Sequence, residues 1–305
     1  MLILGIESSC DETSAAVVEM SSSVRRILSN RIASSMETHR LFGGVVPEIA
    51  SRAHAEAISG LTYDALSEAG VTMEQIDAVG VTAFPGLIGA LMVGVNFAKS
   101  LAYANAKPLV PVNHVYGHVA ASYLAHPTLE PPFLALIVSG GHTSLTYFTS
   151  YTQATVLGRT RDDAVGEAFD KVGRVLGVPY PGGAEMDRLA VSGDPSFLSL
   201  PSAALREDAA HPSLDFSFSG LKTAVINELN TANMKGLTYA KEDIAASFTA
   251  AVVGALVHQL EAAVDRTDSR RIVLAGGVAA NSHLRSAVER LAARRNLQLF
   301  LPPRA

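Results

Sequence analysis

Two histidines four residues apart, His114 and His118 in the run Val112-Asn-His-Val-Tyr-Gly-His118, are the sharpest chemical signal in this chain of 305 residues. A helix turns every ~3.6 residues, so the pair shares one helical face. Neutral imidazole is the commonest protein ligand for a transition metal. The same spacing also suits a core or surface pair. Val115 follows His114, so the Glu that serves zinc peptidases as general base in a His-Glu-x-x-His helix is absent.

Carboxylates and glycines form further groups. Asp11 and Glu12 sit in the hydroxyl-rich stretch Glu7-Ser-Ser-Cys-Asp-Glu-Thr-Ser14. Hydroxyls and turn amides suit phosphate oxygens, and the carboxylates suit a divalent cation or a proton transfer. An ordinary solvated turn has the same composition. Ser139-Gly-Gly-His-Thr-Ser144 is a second polar stretch, whose Gly140 and Gly141 allow close approach of backbone to a phosphate. Gly276-Gly-Val-Ala-Ala-Asn281 turns the chain into a helix, with Asn281 at or near its N-cap, and suits an adenosine and its phosphates. Glu167, Asp170 and Lys171 lie three and four apart on one helical face beside the rigid turn Pro179-Tyr-Pro-Gly-Gly183, and Asp187 follows on the next helix. Between Thr38 and His54, a loop carrying His39, Arg40, Phe42, Arg52 and His54 offers charges for RNA phosphates and a ring for a base.

The elements that would position these groups alternate. Leu2–Ile6 and Ala15–Val18 read as two strands joined by the Asp11–Glu12 tip. A helix from about Glu48 to Ala69, a strand at Ile76–Thr82, a helix to about Ala104 and a strand at Pro108–Val112 lead to the histidine helix. That order implies a parallel or mixed sheet, with the histidines at a strand's C-terminal end, where α/β folds place ligands. His126–Pro132, with three prolines, reads as a linker. Phe133–Val138 and Leu145–Phe148 then flank the second polar tip, and Thr13-Ser14 matches Thr143-Ser144. A hairpin repeated about 130 residues on suggests two duplicated lobes, 1–128 and 129–305. Helices follow over 164–176, around Asp187, after Phe216 and from Glu242 to about Arg266. The strand Arg271–Ala275, a helix Ser282–Arg295 and a closing strand Leu297–Leu301 complete the pattern.

Composition narrows the class. Hydrophobic residues make up 48% and charged residues 17%, which supports a well-buried α/β protein. The formal net charge of -5 makes the chain alone a poor binder of nucleic acid. A single cysteine, Cys10, fits a reduced, cytoplasmic compartment. Glu7 interrupts the first apolar run, so no signal peptide is indicated, and the apolar stretch Gly86–Ala98 is too short for a membrane span.

Eight segments taken in order carry a resemblance. Gly5–Thr13, Phe42–Glu48, His114 with His118, Val138–Thr143, Gly166–Lys171, Pro179–Gly183, Phe216–Lys222 and Gly276–Asn281 resemble the signature segments of TsaD, the tRNA threonylcarbamoyladenosine-synthesis transferases once described as sialoglycoprotein endopeptidases. The resemblance spans the whole chain. It implies the α/β actin-like, Hsp70-like ATPase fold, with two RNase H-like lobes and a nucleotide in the cleft. It implies transfer of a threonylcarbamoyl group from threonylcarbamoyl-AMP to the exocyclic amine of the tRNA adenosine just 3′ of the anticodon. Carried over by motif, His114 and His118 hold one divalent metal ion, iron or zinc, with magnesium accompanying a nucleotide. Ile137, Val138, Ser139, Gly140, Gly141, Asp170, Gly183, Asp187 and Asn281 hold the adenylate or ATP/ADP. Asp11 and Glu12 serve proton transfer or ligand positioning. The implied partners are tRNA, a TsaB-type paralogue and a TsaE-type ATPase, with no membrane, and with Arg25, Arg26, Arg40 and Arg52 assisting tRNA binding in the complex.

The sequence departs from the family pattern in three places. The family continues past the final strand into a Cys-Thr-Asp-Asn segment whose Asp is the third metal ligand, whereas the residues here run to Pro302-Pro-Arg-Ala305. The expectation is a metal that is weakly held or absent, and a missing covering helix that costs stability or exposes an apolar patch beside that strand. Tyr116 stands where the family has Glu, and Phe84 where it has Gly. Three rival readings follow: a metalloprotease, which lacks its general base; a non-catalytic, metal-deficient paralogue acting as a scaffold subunit; and a small-molecule kinase of the same superfamily, which the tRNA-type motifs disfavour.

Overall fold

The computed structural model describes residues 1–21, 24–205 and 213–302. The chain divides into two compact units, Met1–Pro127 and Thr128–Ala305. The first contains β1 (Leu2–Glu7), β2 (Glu12–Met20), β3 (Arg25–Ser34), α1 (Met36–Arg40), α2 (Pro47–Ala69), β4 (Ala78–Phe84), α3 (Ile88–Ala104), β5 (Leu109–Asn113) and α4 (His114–Ala125). Among the described residues its sheet has the order β3-β2-β1-β4-β5. The hairpin strands β1 and β2 are antiparallel, and β1, β4 and β5 run parallel.

Alternation decides which face is buried. Thr13, Ala15 and Val17 of β2 point inward at 2%, 1% and 0% exposure, while their neighbours face outward. On α3 the buried positions Ala90, Gly94, Ala98 and Ala102 recur every four residues. This stripe of small residues brings the helix axis close to the sheet, and a Cβ on Gly94 would run into the hydroxyl of Ser8.

The second unit contains β6 (Phe133–Val138), β7 (Thr143–Phe148), β8 (Ala154–Arg159), α5 (Val165–Val175), α6 (Gly183–Ala190), α7 (Ser219–Met234), α8 (Lys241–Thr267), β9 (Arg271–Ala275), α9 (Ser282–Arg295) and β10 (Gln298–Phe300). Its sheet order, β10-β9-β6-β7-β8, repeats the first unit's pattern. The correspondence includes strand direction: β6 and β7 form the antiparallel hairpin, and β6, β9 and β10 are parallel. The duplication inferred from two hairpin tips is therefore a duplication of the whole sheet. Every residue of β6 is buried, as its unbroken apolar run requires of a central strand.

Two strands escaped the sequence reading, and they occupy equivalent places. The outer strands β3 and β8 each bury one residue, so neither carries an apolar alternation. The short helix α1 also overlaps the start of the stretch read as a loop. In the second unit α8 is long and apolar enough to span a membrane by composition, but 67% of its apolar window is buried. It is the central core helix, contributing Phe248, Val252, Leu256 and Leu260 to the cluster. Along the last strand Leu297, Leu299 and Leu301 are half-buried against that cluster. Residues 303–305 lie outside the described residues.

A polar node ties α5 to α7. Asp163 accepts from Lys171 at 2.7 Å and from Lys222 at 3.3 Å. Burial pushes its carboxyl up, but the two lysines outweigh burial and hold it below the ordinary aspartate range. A lowered carboxyl stabilises the fold above the unfolded-state pKa, and that contribution fades as pH falls through the folded value. Asp163→Asn should therefore cost about 1–3 kcal/mol at neutral pH. The difference between variant and wild type should shrink below about pH 4. Urea melts at pH 7 and pH 3.5 check this, and a pH-independent difference would contradict it.

Candidate active site

The first hairpin tip is clamped from four sides. The Ser8 hydroxyl donates to the carbonyl of Ala90 at 2.9 Å. The amide of Leu87 donates to the carbonyl of Ser9 at 2.9 Å. His54 Nε2 donates to the Cys10 carbonyl at 3.0 Å, and its Nδ1 lies 2.7 Å from the Thr13 hydroxyl. The Asp11 carbonyl accepts from the Ser35 amide at 2.9 Å and from the Ser35 hydroxyl at 2.8 Å. His39 Nε2 is 3.0 Å from that hydroxyl, while its Nδ1 accepts from the Val46 amide at 3.3 Å.

This corrects one expectation. His39 and His54 are 0% exposed and brace the tip from inside, so they cannot meet RNA. His39 lies on α1, which the sequence does not signal, and His54 on the inward face of α2, the helix expected from about Glu48. Arg40 and Arg52 are exposed and pair with Glu37 and Glu48 of their own helices. Phe42 is exposed too. Arg26 pairs with Glu19 at 2.7 Å, and the Arg25 guanidinium lies 5.9 Å from the centre of the Tyr123 ring.

On this braced backbone Asp11 is half-buried and Glu12 is exposed. Partial burial, with the neighbouring charges of Asp11 and Glu7, pushes the Glu12 carboxyl above its ordinary value. A raised carboxyl is a stronger base than an ordinary glutamate once ionised, which suits proton transfer.

The histidine pair opens α4 as the spacing requires. Strand β5 ends at Asn113, whose side-chain oxygen caps the helix by accepting from the amides of Val115 at 2.8 Å and Tyr116 at 3.3 Å. The two rings are 4.6 Å apart, centre to centre, at 72°. One acidic residue not singled out in the sequence meets the first of them, His114. Glu7 Oε2 lies 3.1 Å from His114 Nδ1 and accepts from the Thr82 hydroxyl at 2.6 Å, while Oε1 accepts from the Ser9 amide. Burial raises the Glu7 carboxyl, yet the hydrogen bonds from His114, Ser9 and Thr82 prevail and hold it at about 2. Glu7 was visible only as a charge ending an apolar strand. Two imidazoles on one face, one braced by a carboxylate, form a donor set suited to a borderline transition metal. No group of three or more His, Cys, Asp or Glu converges for a metal among the described residues.

In the second unit the equivalent tip is built from backbone. The Ser139 amide donates to the His142 carbonyl at 2.8 Å, and the His142 amide donates to the Ser139 hydroxyl at 3.1 Å. Ile137 and Val138 are 0% exposed, so they contribute backbone position only. A Cβ on Gly140 or Gly141 would meet nothing within 4 Å, which leaves open space at the tip. Packing closes the tip from behind. A Cβ on Gly166 would lie 2.8 Å from Gly140 Cα and from the Ser139 carbonyl oxygen. Gly276, at φ +93°, abuts Val138. Gly166→Ala should therefore displace the tip and cost about 1–3 kcal/mol, read as a lower thermal midpoint. An unchanged midpoint would show that the tip is not tightly packed.

Asp170 and Lys171 part company, although the spacing put them on one face. Lys171 pairs with Asp163 and Glu167, at 2.7 and 2.8 Å. Asp170 turns instead to the Pro-Gly-Gly turn, where its Oδ1 accepts from the Gly182 amide at 2.7 Å. Burial raises its carboxyl, against the lowering effect of the Gly182 and Gly183 amides. Gly183 begins α6 with open space at its Cβ position. Asp187 and Asn281 converge on the start of α9. Asn281 Oδ1 caps the helix, accepting from the Leu284 amide at 2.9 Å. Asp187 accepts from the Ser282 amide and hydroxyl at 3.1 Å and lies 3.0 Å from His283 Nδ1.

Comparison with known proteins adds an independent line. The sequence pattern of the family TsaD, described as tRNA N6-adenosine threonylcarbamoyltransferase, matches residues 26–305. The chain is 50% identical over 301 residues to the tRNA N6-adenosine threonylcarbamoyltransferase of Clostridium botulinum (strain 657 / Type Ba4), covering 99% of this chain and 86% of that protein. It is 53% identical over 302 residues to that of Moorella thermoacetica, with the same coverage. Solved structures share the fold at low identity. Full-length HypF in its phosphate- and nucleotide-bound form superposes with a TM-score of 0.63 at 14% identity, covering 98% of this chain and 52% of HypF. The activator of the 2-hydroxyisocaproyl-CoA dehydratase from Clostridium difficile, with bound ADPNP, gives 0.54 at 14% identity, covering 99% of this chain and 88% of that one.

Proposed function

The chain belongs to the TsaD family of tRNA N6-adenosine threonylcarbamoyltransferases, and from that membership we propose how its own residues divide the transfer. The carrying observation is identity of 50–53% over 99% of the chain to proteins of that name. The fold is the actin-like ATPase fold in two duplicated units, and the activity is acyl transfer to tRNA.

In our reading the second-unit groups hold the adenylate end of threonylcarbamoyl-AMP. The open tip Ser139–Gly141, positioned by Ile137 and Val138, offers backbone amides to phosphate oxygens. Gly183 leaves room for the nucleoside, and Asp170, Asp187 and Asn281 provide polar contacts at two helix starts. Asp11 and Glu12 serve the reacting end. The exocyclic amine of adenosine attacks the carbamoyl carbon, forming the N–C bond. The bond from that carbon to the phosphate oxygen breaks, and AMP departs with the electron pair. The proton lost by the amine passes to one of these carboxylates. His114 and His118 would hold a divalent ion, iron or zinc, which when bound would supply Lewis-acid polarisation of the acyl carbonyl. Magnesium would accompany the nucleotide.

The -5 charge supports a further part of the proposal, that tRNA is engaged together with a TsaB-type paralogue and a TsaE-type ATPase in the cytoplasm. Arg25, Arg26, Arg40 and Arg52 would assist. The test is threonylcarbamoyl transfer to unmodified tRNA by the purified chain with and without those partners, read by nucleoside mass spectrometry. Absence of transfer under both conditions, with chelator-sensitive glycoprotein cleavage instead, would overturn the reading.

A further inference from the structure

We infer that Glu7 is a positioning residue that keeps the proton of His114 on Nδ1 and so presents Nε2 as the metal-ligating nitrogen. This rests on the reading of His114 and His118 as the metal site.

The fold brings the participants together by strand order. In the parallel series β1-β4-β5, Glu7 is the last residue of β1, Thr82 lies near the end of β4, and His114 directly follows β5. The registers Ile6↔Val81 and Thr82↔Val112 align these C-terminal ends. Three residues distant in sequence thus meet at one edge of the sheet, and the bonds follow. Glu7 Oε2 takes the Thr82 hydroxyl proton at 2.6 Å and faces His114 Nδ1 at 3.1 Å. Its other oxygen accepts from the amide of Ser9.

A carboxylate offers only lone pairs. An unprotonated Nδ1 at 3.1 Å would set lone pair against lone pair, so the proton belongs on Nδ1. The Ser9 hydroxyl, also 3.1 Å from Nδ1, can rotate to accept from the same N–H. With Nδ1 protonated, the ring's remaining lone pair is on Nε2. Carboxylate–imidazole pairs of this kind set the tautomer and raise the basicity of metal-ligating histidines.

Glu7→Gln is the sharp test because it changes chemistry with little change in shape. The Ser9 amide can only donate, so the Gln carbonyl should take that position and the Gln amide should face His114. A donor there calls for an unprotonated Nδ1, and the ring should switch to the Nε2–H form. Two measurements follow. The first is the ¹⁵N shifts of selectively labelled histidine in metal-free protein, assigned with His114→Ala. The wild type should show the Nδ1–H form of His114 and Glu7→Gln the Nε2–H form. The second is titration with zinc ions alone, where Glu7→Gln should bind about 10–100-fold more weakly.

An Nε2–H ring in the wild type, or zinc affinity unchanged in Glu7→Gln, would overturn the proposal. The wild-type spectrum needs no variant, so a poorly folding Glu7→Gln still leaves a decisive result. Failure of the metal reading shows separately, as zinc binding left unchanged by His118→Ala.

Discussion

Replacing either His114 or His118 by alanine should abolish metal uptake at this site and lower threonylcarbamoyl transfer by about 100-fold or more, given that even outer-shell partners cost 10–100-fold in affinity or activity. The two rings stand 4.6 Å apart on the first turns of α4, and on the proposed metal reading they act as one donor set, so the double variant should be no worse than either single one. Stability should fall much less, because the helix start is held by Asn113, which both variants retain. Elemental analysis of the purified proteins, thermal melts and single-turnover transfer to tRNA measure the three effects. Loss of transfer with metal content intact would remove the metal from the reaction. Equal loss of stability and transfer would reduce the pair to a structural role.

The second large effect concerns the first hairpin tip. Asp11→Asn and Glu12→Gln should each reduce kcat while leaving the KM for the adenylate nearly unchanged, and the variant that removes the acting base should lose about 10²–10⁴-fold. The two can be told apart by pH. Glu12 is pushed up, so it stays protonated to a higher pH than an ordinary glutamate, and a base in that position loses activity as pH falls through its raised value. Glu12→Gln should then remove the acidic limb of the kcat/KM profile, whereas Asp11→Asn should leave that limb in place at a lower rate. Stability moves the other way. A raised carboxyl contributes stability below its unfolded-state pKa and loses it as pH rises through the folded value. Glu12→Gln should therefore be neutral to stabilising at pH 7. A destabilised Glu12→Gln with unchanged pH profile would make Glu12 a surface residue and nothing more.

What the sequence determined alone is the set of local facts. Apolar runs bounded by polar turns specified β1, β2, β6 and β7, because strand burial is written in alternation and in unbroken runs. Four-residue spacing put His114 and His118 on one face, because helical geometry is local. The Asn281 cap was legible for the same reason. The repeated hairpin pointed to duplicated units, and eight ordered motifs identified the family.

The tertiary structure decided what depends on partners distant in the chain. The edge strands β3 and β8 carry little apolar pattern and exist because an inner strand offers them its backbone groups. Whether a histidine is a ligand, a brace or an RNA contact depends on what packs around it, and His39 and His54 proved to be buried braces. Asp170 turns from the ion-pair face its spacing suggested and accepts instead from the Gly182 amide, twelve residues on. The histidine pair gained the feature its spacing could not contain. Glu7 lies 107 residues away in sequence, and strand order alone brings its carboxylate to His114.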